Sequence, residues 1–494
     1  MDIVNGNEHM VKMTQVIELK PYQRISDLRL NQNYLGNVLS ESLVALNTSV
    51  IGKLTKPTKL EKDSKVAVKV TKVSLPYNVE LEMISDPFNV VEEGSAQRFL
   101  IESEILEKLK PLMIKAAELI KKSISQSRPI ILRHHADCDG YICAIAIETA
   151  IKSLLARKHR DSIWHYYKRN PTKTPYYDYA DAIRDLTTSL GDIKNQKPPL
   201  LILIDNGSTQ EDLLALKKVV QFGFITIVID HHQPTIENKK PIIEEYTHVF
   251  INPFLIGGDN SLTAGMLGVE LSRLINQTSD IDHLPAIAGV CDKSQGREFD
   301  QYLKLANKKG YTVEFIKQLG QCIDFEAFHI AHMDSGLIEE ILFTGIEQQK
   351  EYVNLLDQEL EKRKKDIIKS AEKYVKIKEM KGFKVFEVAI KEILTIGRYP
   401  PPGKSIGILF EHFKQKSEKP IIVMGRGRDY ITIRSNIDGF DLNKMTQELN
   451  KKLPHTQLCG GGHNLAGTIR FVAAAKQEVL DSITKYLSEN HEPA

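Results

Sequence analysis

Five cysteines in 494 residues, with no CxxC pair among them, leave neither a disulfide framework nor a structural zinc cluster to be read. Long hydrophobic runs are missing too. None reaches the roughly 18 residues that a membrane-spanning helix needs, and the polar start with Asp2 and Glu8 lacks a secretory leader, so the expected location is the cytoplasm. Charge of one sign is also scarce: the formal net charge is +2, so any nucleic-acid contact would depend on a local groove rather than an overall basic field. Tryptophan is nearly absent, with Trp164 as its single instance. What remains has the apolar and charged content of a globular protein, at a length that calls for two to four domains.

The chain changes texture along its length. Within residues 1–95, Val66 to Val73 alternates with period two, and shorter alternations near 49–54 and 79–84 indicate a small β-rich module, either OB-like or an irregular extension. Helical spacing runs from Ala96 to Lys122. A β-α rhythm follows. Apolar strands are expected at Pro129–Leu132, Leu200–Ile204 and Phe224–Ile229, with helices at Tyr141–Leu155 and Glu211–Gln221 between them. Continuous apolar strands alternating with helices predict a parallel sheet covered on both faces. The fold class is therefore α/β, with a parallel-sheet domain over 96–345 and a charged connector helix over 346–382. A smaller α/β domain over 383–494 has strands at Ile421–Met424, Tyr430–Arg434 and Gly467–Val472.

Each acidic motif follows a predicted strand. The first strand delivers His135-Ala136-Asp137-Cys138-Asp139-Gly140, the second Asp205, and the third Asp230-His231-His232. Asp292 follows a later apolar stretch. In open parallel sheets ligands gather beyond the carboxyl ends of the strands, so these residues are expected at one edge. Carboxylates with imidazoles suit Mn²⁺, and an acid-rich set also admits Mg²⁺. Two such ions would activate a water against phosphorus and stabilise the charge that builds on its oxygens. Taken alone, Asp205 reads as a turn or helix cap, and a His-His pair says little. The ordered combination is what points to a two-cation site.

That combination resembles the DHH phosphoesterase superfamily, and within it the RecJ-like single-strand exonucleases, particularly their archaeal, helicase-associated branch. The resemblance covers roughly residues 125–485. It extends to Cys459-Gly460-Gly461-Gly462-His463, which looks like the glycine-rich signature of the DHHA-type substrate domain, and to the arginine-bearing strand Tyr430–Ser435. The resemblance implies metal ligation by His135, Asp137, Asp139, Asp205, His231 and Asp292, with Asp205 bridging. It implies that His232 faces the scissile phosphate, that Asp230 orients the neighbouring imidazole, and that Arg434, Gly461, Gly462 and His463 grip phosphate. It also implies 5′→3′ hydrolysis of single-stranded DNA in repair or replication, with action on RNA or from the other end in some archaeal relatives, and a helicase as partner.

Other readings stay open at this point. Glycine amides can approach a phosphate closely, yet a glycine run is also a common tight turn. The aromatic and basic residues Trp164, Tyr166, Lys168 and Arg169 could stack and track a single strand, or cap the sheet edge as an inserted loop. The stretch Arg398–Lys404 reads first as a rigid loop between lobes, and second as a place where its two basic residues face DNA. The same motifs would serve a phosphodiesterase of short oligonucleotides or cyclic dinucleotides, and a non-catalytic helicase-complex scaffold is the rival from another class.

Overall fold

The computed structural model describes residues 98–490 except 160–161, 173, 194–195, 277–280, 331–335 and 396, and before them 16–18, 28, 30, 33–46, 50–56, 65–74 and 78–83. Residues 49 and 84, at the rims of two expected strands, lie outside the described residues. The chain divides into two compact units, Met1–Ala96 and Gln97–Ala494.

The first unit contains β1 (Val16–Glu18), β2 (Asn33–Ser40), β3 (Leu43–Ala45), β4 (Ile51–Leu54), β5 (Lys65–Ser74) and β6 (Asn78–Met83). Pairing runs in the order β1-β2-β3-β4-β6-β5, and β5 returns to β2, so five of the strands close on themselves. Strand β4 runs parallel to β6, and the other pairings in the ring are antiparallel. A closed five-stranded arrangement of this kind is that of an OB-type barrel. Period two sets its interior: Val66, Val68 and Val70 of β5 meet Val38, Val44, Leu54 and Leu81.

The second unit opens with α1 (Glu104–Ser125), capped by the Ser103 hydroxyl. The expected start at Ala96 is therefore corrected to Glu104. Then follow β7 (Ile130–His135), α2 (Cys138–Lys158), α3 (Ile163–Tyr166), β8 (Tyr167–Thr172), α4 (Tyr179–Ile193), β9 (Leu200–Ile204), α5 (Gln210–Gln221) and β10 (Ile225–Ile229). A small hairpin, β11 (Ile236–Glu237) and β12 (Lys240–Pro241), precedes β13 (Val249–Ile251). Helices α6 (Ala264–Ile275), α7 (Leu284–Cys291), α8 (Arg297–Lys308), α9 (Val313–Ile330) and α10 (Leu337–Phe343) complete this lobe.

Strands β13-β10-β9-β7-β8 form one all-parallel sheet. Both faces are covered, which is why β9 is apolar throughout. Leu200, Ile202 and Ile204 join a core with α1, α2, α6 and α7, while Leu201 and Leu203 pack with Ala215, Leu216 and Val219 of α5 on the other face. After β7 the chain crosses to β8 on one side, and after β9 to β10 on the other. The crevice at the carboxyl ends of β7 and β9 is thus a topological switch point.

Helix α11 (Ile346–Tyr374) leads to β14 (Lys376–Glu379), β15 (Lys384–Ala389), α12 (Ile390–Ile393), α13 (Pro402–Gln415), β16 (Ile421–Arg426), β17 (Tyr430–Ser435), α14 (Leu442–Lys452), β18 (Cys459–His463), β19 (Ala466–Arg470) and α15 (Lys476–Asn490). The connector expected to stay helical through Lys381 instead ends at Tyr374. Lys376-Ile377-Lys378-Glu379 pairs antiparallel with β15 as an exposed edge strand, charged as such edges are. The six-stranded sheet runs β14-β15-β16-β17-β19-β18 with its own core on each face.

Candidate metal centre

Strand register assembles the centre. His134 of β7 aligns with Ile204 of β9, Ile204 with Ile229 of β10, and Ile229 with Ile251 of β13. The residues that come next, His135, Asp205 and Asp230, therefore emerge at one level of the sheet edge. Gly140 lets the first motif fold tightly, because a Cβ there would stand 2.3 Å from the His135 carbonyl oxygen. Asp205 sits at φ +55°, in the left-handed region that Asp and Asn tolerate better than most residues. Such backbone strain tends to persist where a surrounding site enforces it.

The carboxylates bond backbone amides and the neighbouring imidazoles. Asp137 Oδ1 caps α2 by accepting the Gly140 N–H at 3.0 Å, while its Oδ2 lies 2.8 Å from His135 Nδ1. Asp137 thus fulfils the helix-cap reading of a post-strand Asp with one oxygen and leaves the other beside His135. Asp205 Oδ2 lies 3.2 Å from the same His135 nitrogen, and Asp205 Oδ1 is 3.3 Å from His231 Nε2 and 3.6 Å from His232 Nδ1. Asp292, at the carboxyl end of α7 rather than after a strand, brings Oδ2 to 3.5 Å from His231 Nε2. Asp139 accepts the amides of Ala264 and Gly265 at 3.0 Å each, and Oδ2 stands 3.9 Å from His231 Nε2. Asp230 Oδ1 accepts the His231 and His232 amides and lies 2.7 Å from His232 Nδ1.

Two donor groups emerge, His135/Asp137/Asp205 and Asp205/His231/His232, with Asp205 common to both. Their electrostatics are those of a site short of positive charge. Burial, then Asp205 and other carboxylates, pushes Asp139 well above the usual carboxylate range. Burial, with Asp205 and Asp137, takes Asp292 up to about 6 against the pull of His231. Burial would lower His231, yet Asp292, Asp205 and Asp139 hold it well above its ordinary value, and Asp137 with Asp205 does the same for His135. Burial would raise Asp137 and Asp230; His135 depresses the first and His232 the second. Asp205 Oδ1 is buried and accepts no well-formed hydrogen bond among the described residues, although two imidazole nitrogens converge on it. Mixed oxygen and imidazole donors that point together fit divalent cations.

The residues predicted to grip phosphate lie in the smaller lobe. Arg434, on β17, donates from Nη1 to its neighbour Ile433 O at 3.0 Å and from Nη2 to Gly403 O at 3.3 Å. Among the described residues it forms no ion pair with a carboxylate. The glycine run is neither a turn nor a loop: Cys459–His463 is edge strand β18, paired antiparallel with β19. Gly460 (φ +110°) and Gly462 (φ +148°) are required there because a Cβ would meet Thr468 O at 2.3 Å and Ala466 O at 2.4 Å. Gly461 and His463 pair through their backbones with Thr468 and Ala466, and the His463 side chain lies outside the described residues. The two lobes meet where the Gly460 amide donates to Glu211 Oε1 of α5 at 3.0 Å.

The aromatic and basic stretch does not join this centre. It is α3 and edge strand β8 rather than an inserted loop, and Tyr167 aligns with Ile130 at the start of β7. Trp164 and Tyr166 therefore sit at the amino end of the sheet, about 17 Å along β7 from the edge that carries His135. Arg169 is buried, with Nε 2.7 Å from Glu148 and Nη2 2.8 Å from Glu339, so the expected strand contact is corrected to an internal ion pair. Tyr166 stacks on His159, Lys168 is exposed, and Trp164 is 72% exposed. Lys404, which the sequence placed in the stretch between lobes, is the third residue of α13 and pairs with Asp324 of α9, an unrecognised residue whose Oδ1 accepts the Cys138 amide at 3.0 Å. Their separation of 80 positions leaves no local signal.

Residues 129–250 match the DHH family, N-terminal domain. The chain is 37% identical over 417 residues to an uncharacterized protein of Methanocaldococcus jannaschii, covering 77% of this chain and 54% of that protein, so it spans about half the length of the curated relative it matches. A solved structure described as the DHH domain of a member of the s1p family of ribosomal proteins is 38% identical, with a TM-score of 0.75, over 80% of this chain and 94% of that one. RecJ of Thermus thermophilus in complex with Mn²⁺ shares the fold, at a TM-score of 0.51 and 14% identity, over 78% of this chain and 55% of that one. With the ordered motifs converging at a parallel-sheet edge, the chain belongs to the DHH superfamily of phosphoesterases, with a RecJ-like fold.

Proposed function

We propose that the chain is a divalent-cation-dependent phosphodiesterase that removes nucleotides from one end of single-stranded nucleic acid. By family resemblance it would run 5′→3′ on DNA, in repair or replication beside a helicase. The observation that carries the reading is Asp205, whose two oxygens address two separate donor groups. His135, Asp137 and Asp205 would hold one cation, and Asp205, His231, Asp139 and Asp292 the other. Mn²⁺ suits this mixture, with Mg²⁺ as the alternative, and the Thermus thermophilus RecJ was solved with Mn²⁺. When bound, the cations supply Lewis-acid polarisation of the phosphoryl group and a more acidic water.

The remaining roles belong to the protein's own groups. Asp230 anchors His232 Nδ1 at 2.7 Å and fixes its ring. Burial would lower this imidazole, but Asp230 holds it above its ordinary value. Arg434 pairs with no carboxylate among the described residues and would take a phosphate oxygen, as a planar guanidinium does well. The closed barrel of the first unit is of a kind that binds oligonucleotides, which favours a polymeric substrate over a dinucleotide.

A length series of end-labelled DNA and RNA strands with Mn²⁺ or Mg²⁺ tests the reading. Stepwise shortening of long strands is expected. Preference for very short oligomers over long strands would replace it with the small-substrate alternative.

A further inference from the structure

Beyond the acidic cluster, one cation of the smaller lobe reaches the catalytic edge. Lys404 is the third residue of α13, and its Nζ pairs with Asp324 Oδ2 on α9. The other oxygen of Asp324 accepts the amide of Cys138, the first residue of α2, which lies between Asp137 and Asp139. The Lys404 ammonium is thereby held at the amino end of α2, within electrostatic reach of Asp137. Arg434 closes on the same loop, donating to the carbonyl of Gly403, the residue before Lys404. The loop itself is fixed from behind: Arg363 of α11 donates to Tyr399 O at 3.0 Å, and the Tyr399 ring packs on Phe325 and Phe328 of α9. Two cations of one lobe therefore meet on a fixed loop, and one of them extends to the metal-ligand motif of the other lobe.

An ion pair across two lobes can be a latch or a parked substrate contact. The Lys404 side chain retains 36% of its exposure while Asp324 keeps 14%, so the lysine is the more accessible partner of the pair. Asp324 also has a second task at the Cys138 amide, which keeps it in place whether or not the lysine stays.

We propose that Lys404 is a substrate-phosphate contact: Asp324 holds it extended toward the cleft, and it exchanges that carboxylate for a phosphodiester oxygen of the entering strand, gripping the backbone together with Arg434. Lysine suits this exchange because its charge is compact and its three donors rotate freely. The proposal rests on the reading of the site as a single-strand phosphodiesterase.

The test is binding of a fluorescein-labelled phosphorothioate strand of about 12 nucleotides, followed by anisotropy with and without Mn²⁺ across a salt series, on the full chain. Lys404→Gln should weaken binding about tenfold and reduce the slope of log affinity against log salt by about 0.7, the share of one phosphate on a single strand. Lys404→Arg should keep the slope. Asp324→Asn retains an acceptor for the Cys138 amide but releases the lysine, so it should tighten binding. That gain should vanish in the Lys404→Gln/Asp324→Asn double variant. If both single variants weaken binding alike, with an unchanged salt slope and a lower melting temperature, the pair is a latch and the proposal is wrong. If the wild type binds and cleaves while Lys404→Gln keeps affinity and slope, the lysine assignment alone falls. A wild type that neither binds strands nor hydrolyses them with Mn²⁺ overturns both it and the reading it rests on.

Discussion

Replacing Asp205 by Asn separates what the site does from what holds it together. Asn keeps the shape of the side chain and tolerates φ +55°, so the backbone cost is small. The lost charge lies among Asp139, Asp137 and Asp292, and Asp205 follows burial as the leading cause of the raised Asp139 carboxyl. Without cations the variant should therefore melt no lower than the wild type. With Mn²⁺ at a hundredfold excess over its dissociation constant, each site stabilises the wild type by about 2.7 kcal/mol. The second unit spans roughly 400 residues, and at about 2.1 cal/mol/K per residue 1 kcal/mol is then worth about 1.2 °C. Two occupied sites should raise the melting temperature by about 6 °C. In Asp205→Asn that rise should fall to about 3 °C or less, since both donor groups lose their shared ligand. Calorimetry of both proteins in chelator and in a Mn²⁺ series measures this directly. A full wild-type rise in the variant would refute the shared role of Asp205, and a large loss of stability in chelator would refute the charge argument.

Three further outcomes follow from side chains away from the bridge. Arg169→Ala should destabilise the protein by up to about 3–5 kcal/mol in denaturant titrations because it leaves buried Glu148, and Glu339 beside it, with the half-exposed Lys152; weakened strand binding with unchanged stability would restore it as a nucleic-acid contact. Trp164→Ala, at an exposed position on the far end of the sheet, should change stability by less than about 0.5 kcal/mol and leave cleavage rates as they are. Burial pushes Glu270 up to about 7 from its ordinary 4.5, against the Tyr302 hydroxyl and Leu100 amide that it accepts. Its folded value lies above its unfolded one, so its contribution is full below about pH 4.5 and is lost as pH rises through about 7, by at most about 3 kcal/mol. Glu270→Gln should flatten that part of the stability–pH curve, and an unchanged curve would count against the shift.

What the sequence made legible was whatever the backbone decides locally. Strand β9 ends at Ile204, as its apolar run foretold, and Asp205 follows because a charged residue cannot continue a strand buried on both faces. Register then did what spacing alone could not, bringing His135, Asp205 and Asp230 to one level. The glycine run carries an ambiguous signal: close approach to a phosphate and close approach to a neighbouring strand both exclude a Cβ, and Gly460 and Gly462 press against β19. Arg169 misled because a basic residue among aromatics looks the same whether it faces solvent or pairs with Glu148 inside. The Lys404–Asp324 pair depends on the packing of α13 and the Arg398–Lys404 loop against α9, which no window of sequence contains. The end of α11 and the start of β14 were missed because Lys376–Glu379 is as charged as the helix before it and is a strand only through its pairing with β15.

The account's central claim is hydrolysis of a single strand at the edge built around Asp205. Its most direct test is product analysis of an internally labelled single-stranded DNA incubated with the purified chain and Mn²⁺. The account predicts mononucleotides accumulating from the start of the reaction, abolished by chelator and by Asp205→Asn. A strand left intact by the Mn²⁺-loaded wild type, or mononucleotides released as fast by Asp205→Asn, would contradict it.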